Sequence, residues 1–138
     1  MKKNFNNFII GIDFDGTCVT HEFPKVGKFI GAQKVLHRLV DSGARLVLWT
    51  MRSDGRIGQE VENPLTDAVN WFKDNDIPLW GINENPEQKS WTDSPKAYCQ
   101  LYIDDAGLGT PLVHPLTEFE RPYVDWEKVE MILFGDIL

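Results

Sequence analysis

Residues 8–17 read Phe8-Ile9-Ile10-Gly11-Ile12-Asp13-Phe14-Asp15-Gly16-Thr17. An apolar run, mostly β-branched, stops at two carboxylates, a glycine and a hydroxyl. Its length and composition predict a strand buried on both faces, as in a parallel sheet. Asp13 and Asp15 then stand just past the carboxyl end of that strand, the edge where open parallel sheets bind ligands. Acids one residue apart repel unless a cation, a proton or a reaction employs them. An isolated Asp-x-Asp is often an ordinary strand-to-loop pair, so its meaning depends on what converges on it from the rest of the chain.

Outward from this strand, segment 18–31 contains Pro24, Gly27 and His21 and reads as a short flap or hairpin over the strand end, with a ligand role for His21 as the less expected alternative. Ala32, Val35, Leu36, Leu39 and Val40 follow helical spacing, and Gly43 is a natural stop. Arg45–Trp49 reads as a second strand ending at Thr50, giving a βαβ unit with parallel strands and a right-handed crossover. Residues 51–62 read as a polar loop. Asn63-Pro64 predicts a cap and a proline at the first helical position, ahead of a helix burying Leu65, Ala68, Val69 and Phe72. Ile77–Ile82 is the third expected strand, with Pro78 tolerable near its start. Asp93-Ser94-Pro95 is expected to start a helical turn carrying Lys96, and Cys99–Ile103 is the fourth strand, ending in Asp104-Asp105. A tail helix is expected over 125–134 with Trp126, Val129, Ile132 and Leu133 inward. It packs on the core in this reading, with a subunit interface as the alternative. The alternation of strands and helices predicts one α/β domain over residues 1–138, a doubly wound, Rossmann-like parallel sheet flanked by helices.

Composition bounds the function. The chain has 138 residues, 42% apolar, with five Trp and eight Phe, which suits a packed core. A net charge of −7 argues against an extensive nucleic-acid or anionic-membrane surface, while leaving room for a small phosphorylated ligand held by a few local cations. Cys18 and Cys99 are far apart and in no metal spacing, so they read as reduced thiols. The basic N-terminus lacks a long apolar segment, and no run is long enough to span a membrane; a cytoplasmic protein is expected.

The strand ends gather Asp13, Asp15, Thr50, Asp104 and Asp105 at one edge, with Lys96 shortly before the last pair. Hard oxygen ligands of this kind suit magnesium. A carboxylate can attack phosphorus, and a metal and a lysine would offset the repulsion between nucleophile and phosphate. A second carboxylate can protonate the leaving oxygen and then activate water.

These residues, in this order, resemble the haloacid dehalogenase superfamily in its phosphatase branch, over about residues 8–109. The first motif matches at Asp13-Phe14-Asp15-Gly16-Thr17, the second at Thr50, the third at Lys96 and the acidic fourth at Tyr102-Ile103-Asp104-Asp105. The resemblance implies a magnesium-dependent phosphomonoester hydrolase working through an aspartyl-phosphate. Asp13 would be the nucleophile and Asp15 the general acid/base. Thr50 would bond a phosphoryl oxygen, and Lys96 would bridge nucleophile and phosphate. Magnesium would be held by Asp13, the Asp15 backbone carbonyl and Asp104, and by Asp105 directly or through water. Gly16 and its neighbours would offer backbone N–H groups to the phosphate. Lys89 competes with Lys96, which is favoured because it starts the turn feeding the fourth strand. Arg52, in a Thr-x-Arg pattern with Thr50, would either grip substrate phosphate or face solvent from its loop.

Segments 18–31 and 51–63 are too short for a separate cap domain, so the resemblance is to a small capless member with an open site. Such a site suits a bulky phosphorylated partner, such as a macromolecule end, or a small substrate closed over by a second copy in a homo-oligomer. The alternatives are a phospho-acceptor resembling response-regulator receivers and a phosphoryl-ligand-binding protein without turnover. His37 and His114 are expected to be structural or solvent-facing.

Overall fold

Ile10, Gly11 and Ile12 are fully covered, as the opening run requires of a central strand. The computed structural model of the chain describes residues 4–118 and 120–135; the basic stretch Met1–Lys3, Phe119 and residues 136–138 lie outside it. In chain order the elements are β1 (Ile9–Ile12), α1 (Ala32–Asp41), β2 (Arg45–Leu48), β3 (Gly55–Ile57), β4 (Glu60–Glu62), α2 (Pro64–Asp74), β5 (Gly81–Ile82), β6 (Leu101–Ile103), β7 (Leu112–Val113), β8 (Tyr123–Val124) and α3 (Trp126–Phe134). Four strands form a parallel sheet in the order β5-β2-β1-β6, flanked by helices in a Rossmann-like arrangement. Among the described residues, no helix is long and apolar enough to cross a membrane.

Strand alternation assigns the two faces of the sheet. Ile10, Ile12, Leu46, Leu48 and Ile103 belong to one core with Val35, Leu36 and Leu39 of α1, Ala68 and Phe72 of α2, and Trp126, Val129 and Leu133 of α3. On the opposite face Val47, Ala97 and Cys99 pack with Ile9, Trp49, Trp80 and Tyr102. Here the cover is the segment leading into β6 rather than a long helix. Gly11 belongs to this second face. A Cβ there would lie 2.9 Å from Tyr102 Cδ1 and 3.1 Å from Cys99 Sγ, so the missing side chain lets the ring cross β1.

Several local expectations are revised. The third strand is only Gly81–Ile82, although Trp80 N–H already donates to Leu46 O at 2.7 Å. β6 starts at Leu101 because Gln100 turns its side chain onto the ladder and accepts Ile9 N–H at 2.9 Å. No helical turn forms at 93–96. A 3-10 turn at Gln88–Ser90 takes its place, and buried Gln88 organises the crossover by bonding Ser94 O, Lys96 O and Tyr98 N–H. Loop 51–62 folds into the β3–β4 hairpin, and Leu112–Val113 pairs with Tyr123–Val124. Pro64 does open α2, but Asn63 makes no side-chain cap; Asp54 accepts Thr66 N–H at 2.9 Å instead. In α3, Ile132 is exposed and Phe134 is buried in its place, with the Arg38 guanidinium 3.9 Å from its ring centroid. His37 is structural, its Nε2 meeting Asn75 O at 2.7 Å.

The tail is tied directly to the loop after β1. Trp126 Nε1–H donates to Thr17 O at 2.7 Å, and Val124 N–H donates to Gly16 O at 2.9 Å. Trp126→Phe keeps most of the apolar contact but leaves the Thr17 carbonyl buried without its donor. A loss of about 1–3 kcal/mol is expected, read as a lower urea midpoint at unchanged m-value.

Candidate functional site

The register places the acids. Ile12 pairs with Leu48 on one side and Ile103 on the other, so one step further Asp13 stands beside Asp104 at the carboxyl edge. Asp13 N–H donates to Ile103 O at 3.0 Å, continuing the ladder into the site. Carboxylate oxygens of Asp13, Asp104 and Asp105 lie within 4.8 Å of one another. Thr17, fully buried, joins them: its hydroxyl donates to Asp13 Oδ2 at 2.8 Å, lies 3.4 Å from Asp105 Oδ1, and accepts Asp105 N–H at 3.0 Å.

This crowding changes proton affinities. Burial, and then the charge of Asp104, pushes Asp13 up to about 8. Asp104 is also raised, chiefly by burial. For Asp105 burial acts upward too, but bonds led by the one from His21 hold its carboxyl below the ordinary value. His21 reaches in from segment 18–31 with Nε2 2.7 Å from Asp105 Oδ2.

Asp15 faces elsewhere. Arg52 Nε and Nη2 donate to its two oxygens at 2.9 and 2.8 Å. The remaining donors of Arg52 reach Pro24 O at 3.2 Å, Pro64 O at 2.9 Å and Lys25 O at 2.7 Å. All five N–H groups of the guanidinium are therefore used inside the chain. Arg52 is 2% exposed, its guanidinium carbon 4.8 Å from the Phe14 ring centroid and 5.3 Å from that of Phe23. Neither expectation for this residue holds, because it does not face solvent and has no donor left for a substrate phosphate.

Gly16 is also revised. Its N–H donates to Val19 O at 2.8 Å and is not free for an anion. The glycine is needed for space and conformation: its φ is +79°, and a Cβ would lie 1.9 Å from His21 Nε2 and 2.6 Å from Asp105 Oδ2. Thr50 stands at the end of β2, its N–H donating to Asn83 Oδ1 at 2.8 Å and its Oγ1 accepting Arg52 N–H at 3.1 Å. That leaves its hydroxyl proton available.

The lysines are not brought onto the acids. Lys96 is exposed, with Nζ 5.5 Å from the Tyr102 ring centroid, and exposed Lys89 lines a groove with Asn85, Thr92 and Asp93. Sequence reasoning gave no role to Thr17 or Asn83 and left His21 without a partner. The hydroxyl at the end of the opening motif was the available sign for Thr17; nothing local marks the other two.

No family model and no curated protein matches the chain. Among solved structures it is similar to that of a conserved protein from Bacteroides thetaiotaomicron, with 29% identity and a TM-score of 0.66, covering 92% of this chain and 89% of that one.

Two predictions follow from the electrostatics. Arg52→Ala strands the Asp15 carboxylate and three carbonyls, and should cost about 3–5 kcal/mol in urea unfolding. Arg52→Lys should lose less, keeping the charge but not the fork. In metal-free protein with chelator, folding raises the proton affinity of Asp13. The folded state thus binds more protons than the unfolded chain between pH 4 and 8, and stability falls as pH rises through that window. Tm should drop by several degrees from pH 5 to 8, a slope that Asp13→Asn largely removes.

Proposed function

We propose that this protein is a capless phosphatase of the haloacid dehalogenase type, hydrolysing phosphomonoesters through an aspartyl-phosphate on Asp13 with magnesium as cofactor. The observation that carries the reading is the convergence of Asp13, Asp104 and Asp105 at the strand ends, with Asp13 buried and bonded by Thr17. The donor set fits magnesium: three carboxylates supply hard oxygens, and burial together with the charge of Asp104 raises Asp13, which a divalent cation would offset. Asp13, Asp104 and Asp105 would hold the ion, whose contribution when bound is to neutralise charge at the phosphoryl group. The backbone carbonyl of Asp15 is its expected further contact. Arg52 holds both oxygens of the Asp15 carboxylate, so on this reading Asp15 must leave that fork to give and then take a proton.

The Asp13 carboxylate would attack phosphorus as the ester oxygen leaves with a proton from Asp15. Water, deprotonated by Asp15, would then attack the phospho-aspartate and restore Asp13. Thr50 retains a hydroxyl proton with which to bond a phosphoryl oxygen. The intervals between β1 and α1 and between β2 and α2 hold only the flap and the β3–β4 hairpin, which supports the capless assignment. A cleft of about 450 Å³, lined among others by Glu22, Lys28, Phe29, Glu120, Arg121 and Tyr123, borders the site and would receive the rest of the substrate. The buried free thiols Cys18 and Cys99 fit a reducing, cytoplasmic setting.

One observation favours a second reading. Lys96 packs on Tyr102 rather than on Asp13, so the ammonium expected between nucleophile and phosphate is not in place. A phosphoryl-binding protein or phospho-acceptor without turnover would not need it there.

Hydrolysis of an aryl phosphate separates the readings. Magnesium-dependent turnover is expected, undetectable in Asp13→Asn and reduced about 10²–10⁴-fold in Asp15→Asn. Turnover that survives Asp13→Asn would overturn the mechanism. A long-lived phosphoprotein without hydrolysis would establish the acceptor instead.

A further inference from the structure

His21 meets the acidic cluster from the flap, outside the four motifs matched in the sequence. Its Nε2 lies 2.7 Å from Asp105 Oδ2, with the two side chains 13% and 15% exposed. A nitrogen at that distance from a carboxylate oxygen is the donor. The contact is built in from several directions. Gly16 carries no Cβ where one would collide with Nε2. The flap arm bearing His21 is held by Thr20 N–H to Lys28 O at 3.1 Å and Lys28 N–H to Thr20 Oγ1 at 2.8 Å. The flap turn is held by Arg52 through the carbonyls of Pro24 and Lys25.

The consequence lies in what remains of Asp105. Its Oδ1 shares the Thr17 hydroxyl with Asp13 Oδ2, so Oδ1 is turned toward the other acids and Oδ2 toward the flap. With Oδ2 engaged by His21, Asp105 offers the cluster a single oxygen. Single-oxygen carboxylates suit a small octahedral ion that retains waters, whereas calcium favours more ligands and two-oxygen carboxylates.

We propose that His21 is a positioning residue that fixes Asp105 as a one-oxygen ligand and so makes the cluster select a magnesium-sized ion over calcium. This rests on the metal-binding part of the reading above and is independent of turnover.

The test is calorimetric titration of the full chain with magnesium alone and with calcium alone. Native protein should bind magnesium more tightly. His21→Ala should weaken magnesium about 10–100-fold and narrow the magnesium-to-calcium ratio, because Asp105 can then present both oxygens. His21→Gln, whose amide nitrogen can reach Oδ2, should stay within a few-fold of native, and the shorter His21→Asn should behave as Ala. The Asn and Gln pair carries the test if His21→Ala fails to fold. Asp104→Asn should lose both ions. An unchanged ratio in His21→Asn, equal losses for the two ions, or a native protein binding neither ion would overturn the proposal. Tight, selective magnesium binding by a protein that never hydrolyses a phosphoester would overturn the phosphatase reading and leave this one standing.

Discussion

Asp13 and Asp104 follow neighbouring parallel strands at the same level, so their carboxylates stand close together. Asp105 follows directly, and the three carboxylates lie within 4.8 Å of one another. At an effective dielectric near 20, two charges that close repel by roughly 3–4 kcal/mol. That is a large share of the net stability of an ordinary domain, about 5–15 kcal/mol. Three features of the fold answer it: a raised proton affinity at Asp13, the Thr17 hydroxyl between Asp13 and Asp105, and the His21 bond on the far oxygen of Asp105. The first lessens the repulsion by protonation, the other two by hydrogen bonding.

Arg52 solves a different problem with the same economy of parts. A buried guanidinium without acceptors would be too costly to keep, and this one finds all five among Asp15, the flap turn and the first residue of α2. The dependence is mutual, since the flap carbonyls and the Asp15 carboxylate would otherwise lack these donors. The result separates two aspartates that are only two residues apart. Asp13 sits among acids and a hydroxyl, and Asp15 sits on a fixed cation. One backbone segment thereby supplies two carboxylates with different chemistry, which is the condition for giving them different tasks.

The parts of this arrangement that follow from topology were legible in the sequence. An apolar run ending in acids, repeated with Thr50 and Asp104-Asp105, places those groups on one edge once the strands are parallel. The parts that depend on loops pairing with backbone were not. The Thr-x-Arg pattern singles out Arg52 but not its role, because its partners are mostly carbonyl oxygens of Pro24, Lys25 and Pro64, and a carbonyl has no side-chain signature. Gly16 fits a phosphate-binding glycine until its neighbour His21 is seen filling the space. Gln88 replaces an expected helical turn by donating to two carbonyls, which no periodicity records. The two-stranded hairpins are too short for an alternation pattern to show.

The same two anchors bear on how such a site could discriminate without a cap. A lid must exchange its contacts with solvent as it opens, and lids are drawn from weakly held segments. The flap is held at its turn by a buried guanidinium and on its arm by the His21 bond, so it behaves as a wall. Selectivity on the phosphatase reading then falls to that wall and the strand facing it, where Lys28, Phe29, Arg121 and Tyr123 border the cleft. Phe29 is 74% exposed there, an apolar surface among two cations and the carboxylates of Glu22 and Glu120. A leaving group with a flat apolar part would cover that ring, whereas a compact polar one would leave it in water.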